Sequence, residues 1–502
     1  MAFETDKSEH AEQVQSQEPT LKKKTAKGLF WGGISSGMQQ VIQLVFGVIM
    51  MKLLNPKDFG IVGMLAIFTA IAMCIQDSGF FVALINKKNI QHKDYNAVFW
   101  FNIFSSVIIY VCLFFAAPII ADFFKLPALV PVSRVLFLNF LFCGIGIAQG
   151  AYIFRNLMVK EKAKIEVLAL FFSGTIGIVL AYSGLAYWAI VAQNILYFAA
   201  TISIRWFYSP WKPTFDINFQ PLREMFSFSI KLFFTSIFIR ITENIFSVLL
   251  GRYYKEEMVG YYVQGNKWSV MGGSFISGMI GNVAMPILTQ INDNTERQKN
   301  AFRKMLRFGA FVSFPLLLGL AFVGKEVLLI IGNGDKWQPA VPFLQLFCIW
   351  NSVLYIYTLY TNLLLTHHKS NIYMYGTFLT GLLQLCVIII MFKFGIFQMV
   401  IVYIIINFAG LAFWHYFTNK IIGLRIIEVI KDVCPFLITT ILSILVAFFA
   451  TKHIENVYFR VFLKLLITSV LYILVMGKSN SVIVRECYNF LINKKEVAKQ
   501  SK

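Results

Sequence analysis

Long apolar stretches separated by short polar breaks make up most of this chain. Each stretch runs for about 20 residues, the length that a helix needs to cross the roughly 30 Å hydrocarbon core of a bilayer. The stretches are solidly apolar rather than alternating, which favours membrane helices over barrel strands. The pattern therefore predicts an all-α integral membrane protein with about fourteen spans, at residues 28–51, 60–85, 95–119, 130–154, 165–182, 185–207, 225–251, 259–289, 303–332, 340–366, 370–392, 395–418, 429–451 and 457–477.

The polar breaks divide these spans into two similar halves. The break at residues 209–224 contains Pro210, Pro213 and Pro221, and six predicted spans precede it. Similar segments, residues 53–60 and 253–260, follow the first span of each half. Internal repeats of this kind are typical of transporters, which bind their substrate between the repeats. We predict a tail (1–27), an N-terminal lobe (28–208), a linker (209–224), a C-terminal lobe (225–418), two further spans (429–477) and a second tail (478–502).

Composition and charge agree with a membrane protein. Hydrophobic residues make up 58% of the chain and charged residues 14%, against roughly 25% charged in soluble domains. The net charge is +20, and the basic residues concentrate in alternate loops. Because Lys and Arg favour cytoplasmic loops, we predict that both termini lie in the cytoplasm.

The sequence also argues against several classes of function. The chain is basic, but it has neither zinc-finger spacing nor a basic stripe on a soluble face. We therefore do not expect it to bind nucleic acid. The chain has no Walker A loop, which argues against a primary ATPase. It has neither the large loop nor the acidic clusters expected of a membrane glycosyltransferase or polymerase, so we predict a non-enzyme without cofactor or metal.

The strongest candidate site lies in the seventh span. An ionisable side chain at mid-bilayer costs roughly 3 kcal/mol or more, so its presence needs a reason. Arg240 and Glu243 are three residues apart on one helix face and can pair, and Asn244 follows on the same side. We predict that the three line a central cavity, where Arg240 and Asn244 bind substrate and Glu243 couples an ion or pairs. The alternative is a purely structural pair.

Four further polar residues inside spans are weaker candidates. Lys267 is a second cation for substrate, and Gln43 lies on a polar face of the first span that is turned to water or to other helices. Lys231 lies nearer the inner surface, where it binds substrate or extends to the interface. Asp77 either binds a proton or cation, or locks its helix to a neighbour.

Several short segments resemble one transporter family. They are similar to the Wzx-type polysaccharide and lipopolysaccharide flippases, the polysaccharide-transporter branch of the multidrug/oligosaccharidyl-lipid/polysaccharide superfamily. The matching segments are residues 53–60, 77–79, 83–85, 187–193, 209–213, 240–244, 260–262 and 286–288. The resemblance covers the first twelve spans, and Glu243 stands where the family pattern has a shorter acid.

The resemblance implies a MATE-like fold of two pseudo-symmetric six-helix lobes plus two C-terminal helices. It implies a flippase that moves undecaprenyl-diphosphate-linked oligosaccharides across the inner membrane, with Arg240 and Lys267 placed to attract the diphosphate. Expected partners are the lipid-linked substrate, membrane lipids and glycan-assembly proteins. Two alternatives remain open: a cation-coupled multidrug exporter of the same fold, and a membrane glycan polymerase or ligase.

Overall fold

The computed structural model describes residues 35–77, 79–87 and 89–478, apart from the side chains of residues 75–77, 86, 227–228 and 231–232. The first predicted tail and all of the second except residue 478 lie outside the described residues. All regular structure in the described residues is helical. The chain divides into two compact units, one up to Asn244 and one from Ile245.

The first unit contains nine helices and most of a tenth. These are α1 (Ser35–Leu53), α2 (Pro56–Met64), α3 (Ala66–Asp77), α4 (Phe80–Asn86), α5 (His92–Phe124), α6 (Leu129–Leu136), α7 (Leu138–Arg155), α8 (Val159–Tyr182), α9 (Tyr187–Tyr208) and α10 (Gln220–Tyr253).

The second unit contains the remaining eight α-helices. These are α11 (Glu256–Gln290), α12 (Thr295–Ile331), α13 (Val341–Asn351), α14 (Leu354–Thr366), α15 (Ser370–Met391), α16 (Ile396–Ile422), α17 (Ile426–Thr451) and α18 (Val457–Lys478). Short 3-10 helices at Asp335–Ala340 and Phe392–Phe394 precede α13 and follow α15.

The helices confirm the prediction of a polytopic α-helical membrane protein. In the described residues 13 helices are long and apolar enough to cross a membrane, and the bent pair α2 and α3 raises the number to 14. Each predicted span overlaps one of these segments. Large apolar side chains remain exposed on many of the helices, for example Phe115, Ile119 and Phe449, as expected of surfaces that face lipid rather than water.

The predicted second span is not one continuous helix, so this detail of the prediction was wrong. Helices α2 and α3 are bent by 48° at Leu65, and a second break precedes α4. At that break Gly79 has a φ of +62°, which strains any residue with a Cβ. A count of apolar residues misses the bend at Leu65, since the residues around it stay apolar, whereas the polar residues 76–78 come directly before the second break.

Residues 209–219, which connect α9 to α10 and are called the strap below, are bonded to α5 rather than forming a free linker. Helix α10 begins at Gln220, inside the predicted linker. The Trp100 indole nitrogen donates to the carbonyl of Thr214 at 2.7 Å, and the Thr214 amide donates to the Asn96 side-chain oxygen at 2.9 Å. The Asn96 amide in turn donates to the carbonyl of Asp216. These bonds fix the strap along the start of α5.

A salt bridge continues this attachment beyond the strap. The ammonium group of Lys87 lies 3.0 Å from an Asp94 oxygen and 2.8 Å from a Glu224 oxygen. Hydrogen bonds to Glu224 and then to Asp94 raise the pKa of Lys87 above its usual value. Since Asp94 lies in the first turn of α5 and Glu224 directly after the first turn of α10, the salt bridge links the starts of these two helices.

Charged side chains attach α17 to α12 at one end of the second unit. The Arg303 guanidinium meets both carboxylate oxygens of Asp432, at 2.6 and 3.1 Å, in a two-pronged contact. Glu428 accepts from Arg303 at 3.3 Å and lies 2.9 Å from the Lys299 ammonium group. One turn of α17 is thereby fixed to the first turns of α12.

A second ion pair attaches α18 to the far part of α12. The Lys464 ammonium group lies 2.6 Å from a Glu326 oxygen, and each side chain is only 8% exposed. Arg460, one turn before Lys464, lies 3.6 Å from the same oxygen. The two helices that fall outside the predicted repeat are therefore both held on α12 by opposite charges.

Breaking the buried pair should destabilise the protein. We expect Lys464→Met to cost about 3–5 kcal/mol, because it leaves the Glu326 carboxylate buried without its closest cation. The double variant Lys464→Met with Glu326→Leu should recover much of that loss, since no buried charge is left alone. Thermal unfolding of the purified protein in detergent measures both. A single variant as stable as the double variant would contradict this account of the pair.

Candidate functional site

The predicted pair of α10 is formed, and it is exposed. An Arg240 Nη lies 2.9 Å from a Glu243 oxygen, and the two side chains are 44% and 53% exposed. The Asn244 amide donates to the Arg240 carbonyl at 2.9 Å, so it supports the helix rather than the ion pair. Both charges lie near the middle of the apolar segment Phe233–Tyr253.

This exposure decides between two surroundings for the pair. An exposed pair on a membrane helix faces either hydrocarbon or water. Hydrocarbon would cost roughly 3 kcal/mol or more for each charge, and no third charged group among the described residues contacts Arg240 or Glu243 to reduce that cost. Water around these two side chains would remove the penalty, and we therefore predict that this part of α10 lies on a wet path.

The second predicted cation lies in the other unit. Lys267 on α11 is exposed, and it follows Asn266, which is half-buried, and Gln264, which is buried. The side-chain oxygen of Gln264 has no hydrogen-bond partner in the described part of the chain. A polar stretch in the first half of α11 thus carries an exposed cation, and its role in substrate binding stays a prediction.

The remaining predicted residues are less informative. Gln43 on α1 is exposed, whereas its neighbour Gln39 is bonded to Glu166 of α8 at 3.0 Å. The side chains of Asp77 and Lys231 lie outside the described residues. Their backbones end α3 and continue α10, respectively. The roles predicted for all three residues stay predictions.

The first unit contains a polar cavity that the sequence did not indicate. The cavity has a volume of about 300 Å³ and lies between α3, α4, α7, α8 and α9. Its charged lining comprises Lys162 and Glu166, 3.7 Å apart, together with Arg205. Thr201 is buried at its wall, and the Thr201 hydroxyl has no hydrogen-bond partner in the described chain. Lys162 and Glu166 lie on α8 and Arg205 on α9, so no single span revealed the cavity.

Sequence reasoning also missed the Glu326–Lys464 pair described above. The signal was present, because both residues are ionisable groups inside predicted spans. The structure separates this pair from Arg240 and Glu243 by exposure, since one pair is enclosed by protein and the other is open. No group of three or more His, Cys, Asp or Glu residues that could hold a metal ion lies in the described part of the chain.

Comparison with known families identifies the class of protein. A family profile described as polysaccharide biosynthesis protein matches residues 49–342, more than half of the 502-residue chain. The chain belongs to this family. The matched region includes Arg240, Glu243 and Lys267, and the resemblance inferred from short segments is confirmed.

Individual relatives agree with the family. The teichuronic acid biosynthesis protein TuaB of Bacillus subtilis is 26% identical over 333 residues, which cover 66% of this chain and 69% of TuaB. The lipopolysaccharide biosynthesis protein WzxC of Escherichia coli is 24% identical over 336 residues, 66% of this chain and 67% of WzxC. The succinoglycan biosynthesis transport protein ExoT of Rhizobium meliloti is 22% identical and covers 67% of this chain and 68% of ExoT.

Solved structures confirm the predicted MATE-like fold. The lipid II flippase MurJ in an inward closed conformation aligns with a TM-score of 0.74 over 91% of this chain and 99% of its own. A multidrug resistance MATE transporter in an inward-facing conformation aligns with a TM-score of 0.61 over 76% and 95%. Their identities of 14% and 13% mean that the likeness is one of fold.

Thiol labelling tests whether the α10 pair faces water. We expect Glu243→Cys, in a background whose native cysteines are serine, to react with a membrane-impermeant maleimide, because a thiol ionises in water but not in hydrocarbon. Phe234→Cys is the matched control, since Phe234 is exposed on the same helix but nine residues away, on the opposite face. Equal labelling of the two positions would contradict a wet path along one face of α10.

Proposed function

We propose that this protein is a flippase for an undecaprenyl-diphosphate-linked oligosaccharide, which it moves across the bacterial inner membrane by alternating access. The proposal draws on its family and on relatives named for the biosynthesis or transport of surface polysaccharides. It also includes the orientation predicted from the loop charges, with both termini in the cytoplasm. The protein acts as a transporter rather than an enzyme.

The exposed Arg240 is the observation that carries the proposal. A guanidinium group has five N–H donors in a planar fork, and Glu243 occupies one Nη in the described structure. The remaining donors suit a phosphate, which guanidinium recognises in a bidentate manner. A diphosphate that enters a membrane must exchange its water for such donors, and Arg240 presents them near the middle of a span.

Glu243 gives this site a means of release. The carboxylate holds the guanidinium when no anion is bound, and a phosphate competes with it for the same donors. Exchange between the two partners keeps the guanidinium paired with an anion both before and after the substrate binds. We infer that the pair serves as a resting state for the cation rather than as a fixed clasp, in contrast to the enclosed Glu326–Lys464 pair.

Loss of the gene tests the proposed function in cells. Deletion should abolish the surface polysaccharide and leave lipid-linked repeat units on the cytoplasmic side of the membrane. Repeat units that reach the outer side but stay unpolymerised would support a polymerase or ligase instead. Drug sensitivity with normal surface polysaccharide would support a multidrug exporter.

Replacing Arg240 tests the site. We expect Arg240→Ala to restore surface polysaccharide roughly tenfold less well than the wild-type gene, since a charge-assisted hydrogen bond contributes about 1.5–3 kcal/mol. Arg223→Ala, in the exposed first turn of the same helix, is the matched control and should restore it fully. Both proteins must reach the membrane at equal levels by immunoblot. Full restoration by Arg240→Ala would remove Arg240 from the site.

A further inference from the structure

One face of α10 changes from aromatic to cationic along its length. Phe226, Phe233 and Arg240 are spaced by seven residues, so they lie within about 40° of one another around the helix. The rise of 1.5 Å per residue puts successive members about 10 Å apart. The stripe therefore presents two phenyl rings and then a guanidinium group, an arrangement that complements an amphiphile with an anionic head.

The aromatic part of this stripe forms one wall of a cleft in the first unit. The cleft has a volume of about 230 Å³. Phe226, Ile230 and Phe233 of α10 face Phe80 of α4 and Phe101 of α5 across it. Its polar lining is small and comprises Asn102, Ser105 and Ser229, of which Asn102 already donates its amide to the carbonyl of Val98.

The break before α4 helps to shape this cleft. Gly79 lies at its wall, and a Cβ there would lie 3.4 Å from the Ser229 carbonyl oxygen and 3.6 Å from the Phe233 Cβ. The glycine lets the chain turn at a positive φ close against α10, which brings Phe80 to the cleft. The break thus does more than interrupt a span, because it places an aromatic ring opposite α10.

We propose that this cleft binds the hydrocarbon chain of the lipid-linked substrate while Arg240, on the same face of α10, binds its phosphate. The inference rests on the proposed function and adds to it the place of the chain. Burial of a prenyl chain against phenyl and isoleucine side chains is favourable for the same reason as any apolar contact. The polyprenyl chain keeps these contacts while the head group lies in the wet path.

The depth of Arg240 favours the substrate over a resident phospholipid. A phospholipid keeps its phosphate at the membrane surface, and its acyl chains reach toward the middle of the bilayer. Arg240 lies about 10 Å beyond Phe233, near the middle of the apolar segment of α10. Only a lipid whose phosphate is carried into the membrane can occupy the aromatic and the cationic part of the stripe together.

Chain-length dependence of binding tests this inference. The purified protein in phosphatidylcholine nanodiscs is titrated with undecaprenyl diphosphate and with dimethylallyl diphosphate, which has the same head group and a single five-carbon unit, too short to span the about 10 Å from Arg240 to Phe233. We expect Phe233→Asn to weaken binding of the long chain about tenfold and that of the short chain far less. Arg240→Ala should weaken both by a similar factor. Comparison of each ratio with the wild type cancels partitioning into the bilayer.

The outcomes separate this inference from the proposed function. Phe234→Asn, next to Phe233 but not part of the cleft, is the matched control and should leave both affinities unchanged. If Phe233→Asn leaves the ratio of the two affinities at its wild-type value while Arg240→Ala weakens both, the chain does not lie in the cleft and the proposed function stands. If Arg240→Ala changes neither affinity, the proposed function itself fails.

Photo-crosslinking tests the same inference without relying on the stability of the Phe233→Asn and Arg240→Ala variants. Phe101 is replaced by p-benzoylphenylalanine in cells whose surface polysaccharide shows that the protein works, and Phe449, exposed on α17, is replaced in a parallel strain. We expect radiolabelled lipid-linked oligosaccharide to attach several-fold more at position 101 than at 449. Attachment of phospholipid acyl chains alone at position 101, or equal attachment of the substrate at both, would overturn the inference.

Discussion

Hydrocarbon solvates charge poorly, so each ionisable side chain inside a membrane helix must either be enclosed with a partner or reach water. Both solutions occur in this protein. Glu326 and Lys464 are enclosed by protein and hold α18 on α12. Arg240 and Glu243 are paired but exposed near the middle of a span. The first pair belongs to the scaffold, whereas the second marks the path along which a charged substrate is proposed to move.

Side-chain hydrogen bonds and ion pairs attach the helices around these charges to one another and to a connecting segment. The strap before α10 is bonded to the side chains of Asn96 and Trp100, and Lys87 links the starts of α5 and α10. As a result, the first part of α10 belongs to the first unit, although this segment follows a proline-rich break. In the second unit, Arg303 and Lys464 fix the two C-terminal helices on α12 from two different positions along it.

Hydropathy along the chain was enough to predict the fold class, the approximate spans and the membrane location, because lipid demands long apolar helices and little else. The Arg240–Glu243 pair was predictable too, since both partners lie within one turn of one helix. The bend at Leu65 was not, because apolar residues continue across it. The break at Gly79 did have a signal, since the polar residues 76–78 come directly before it.

Partners from distant parts of the sequence could not be found either. Glu326 and Lys464 are 138 residues apart, and the sequence of neither span indicates that the two residues pair. The strap on α5, the polar cavity of the first unit and the phenylalanine cleft likewise depend on side chains from several helices. The sequence thus indicated which charges were unusual, but only the structure distinguished a buried clasp from an exposed site.

Transport of a lipid-linked oligosaccharide in proteoliposomes tests the central claim most directly. Vesicles containing the purified protein and a fluorescent lipid-linked oligosaccharide are treated with an impermeant quencher. The account predicts that wild-type protein brings lipids from both leaflets within reach of the quencher. It predicts that vesicles with Arg240→Ala bring the inner-leaflet lipids within reach of the quencher roughly tenfold more slowly than wild type. Quenching by the variant equal to that of wild type, or wild-type quenching no greater than in protein-free vesicles, would contradict the account.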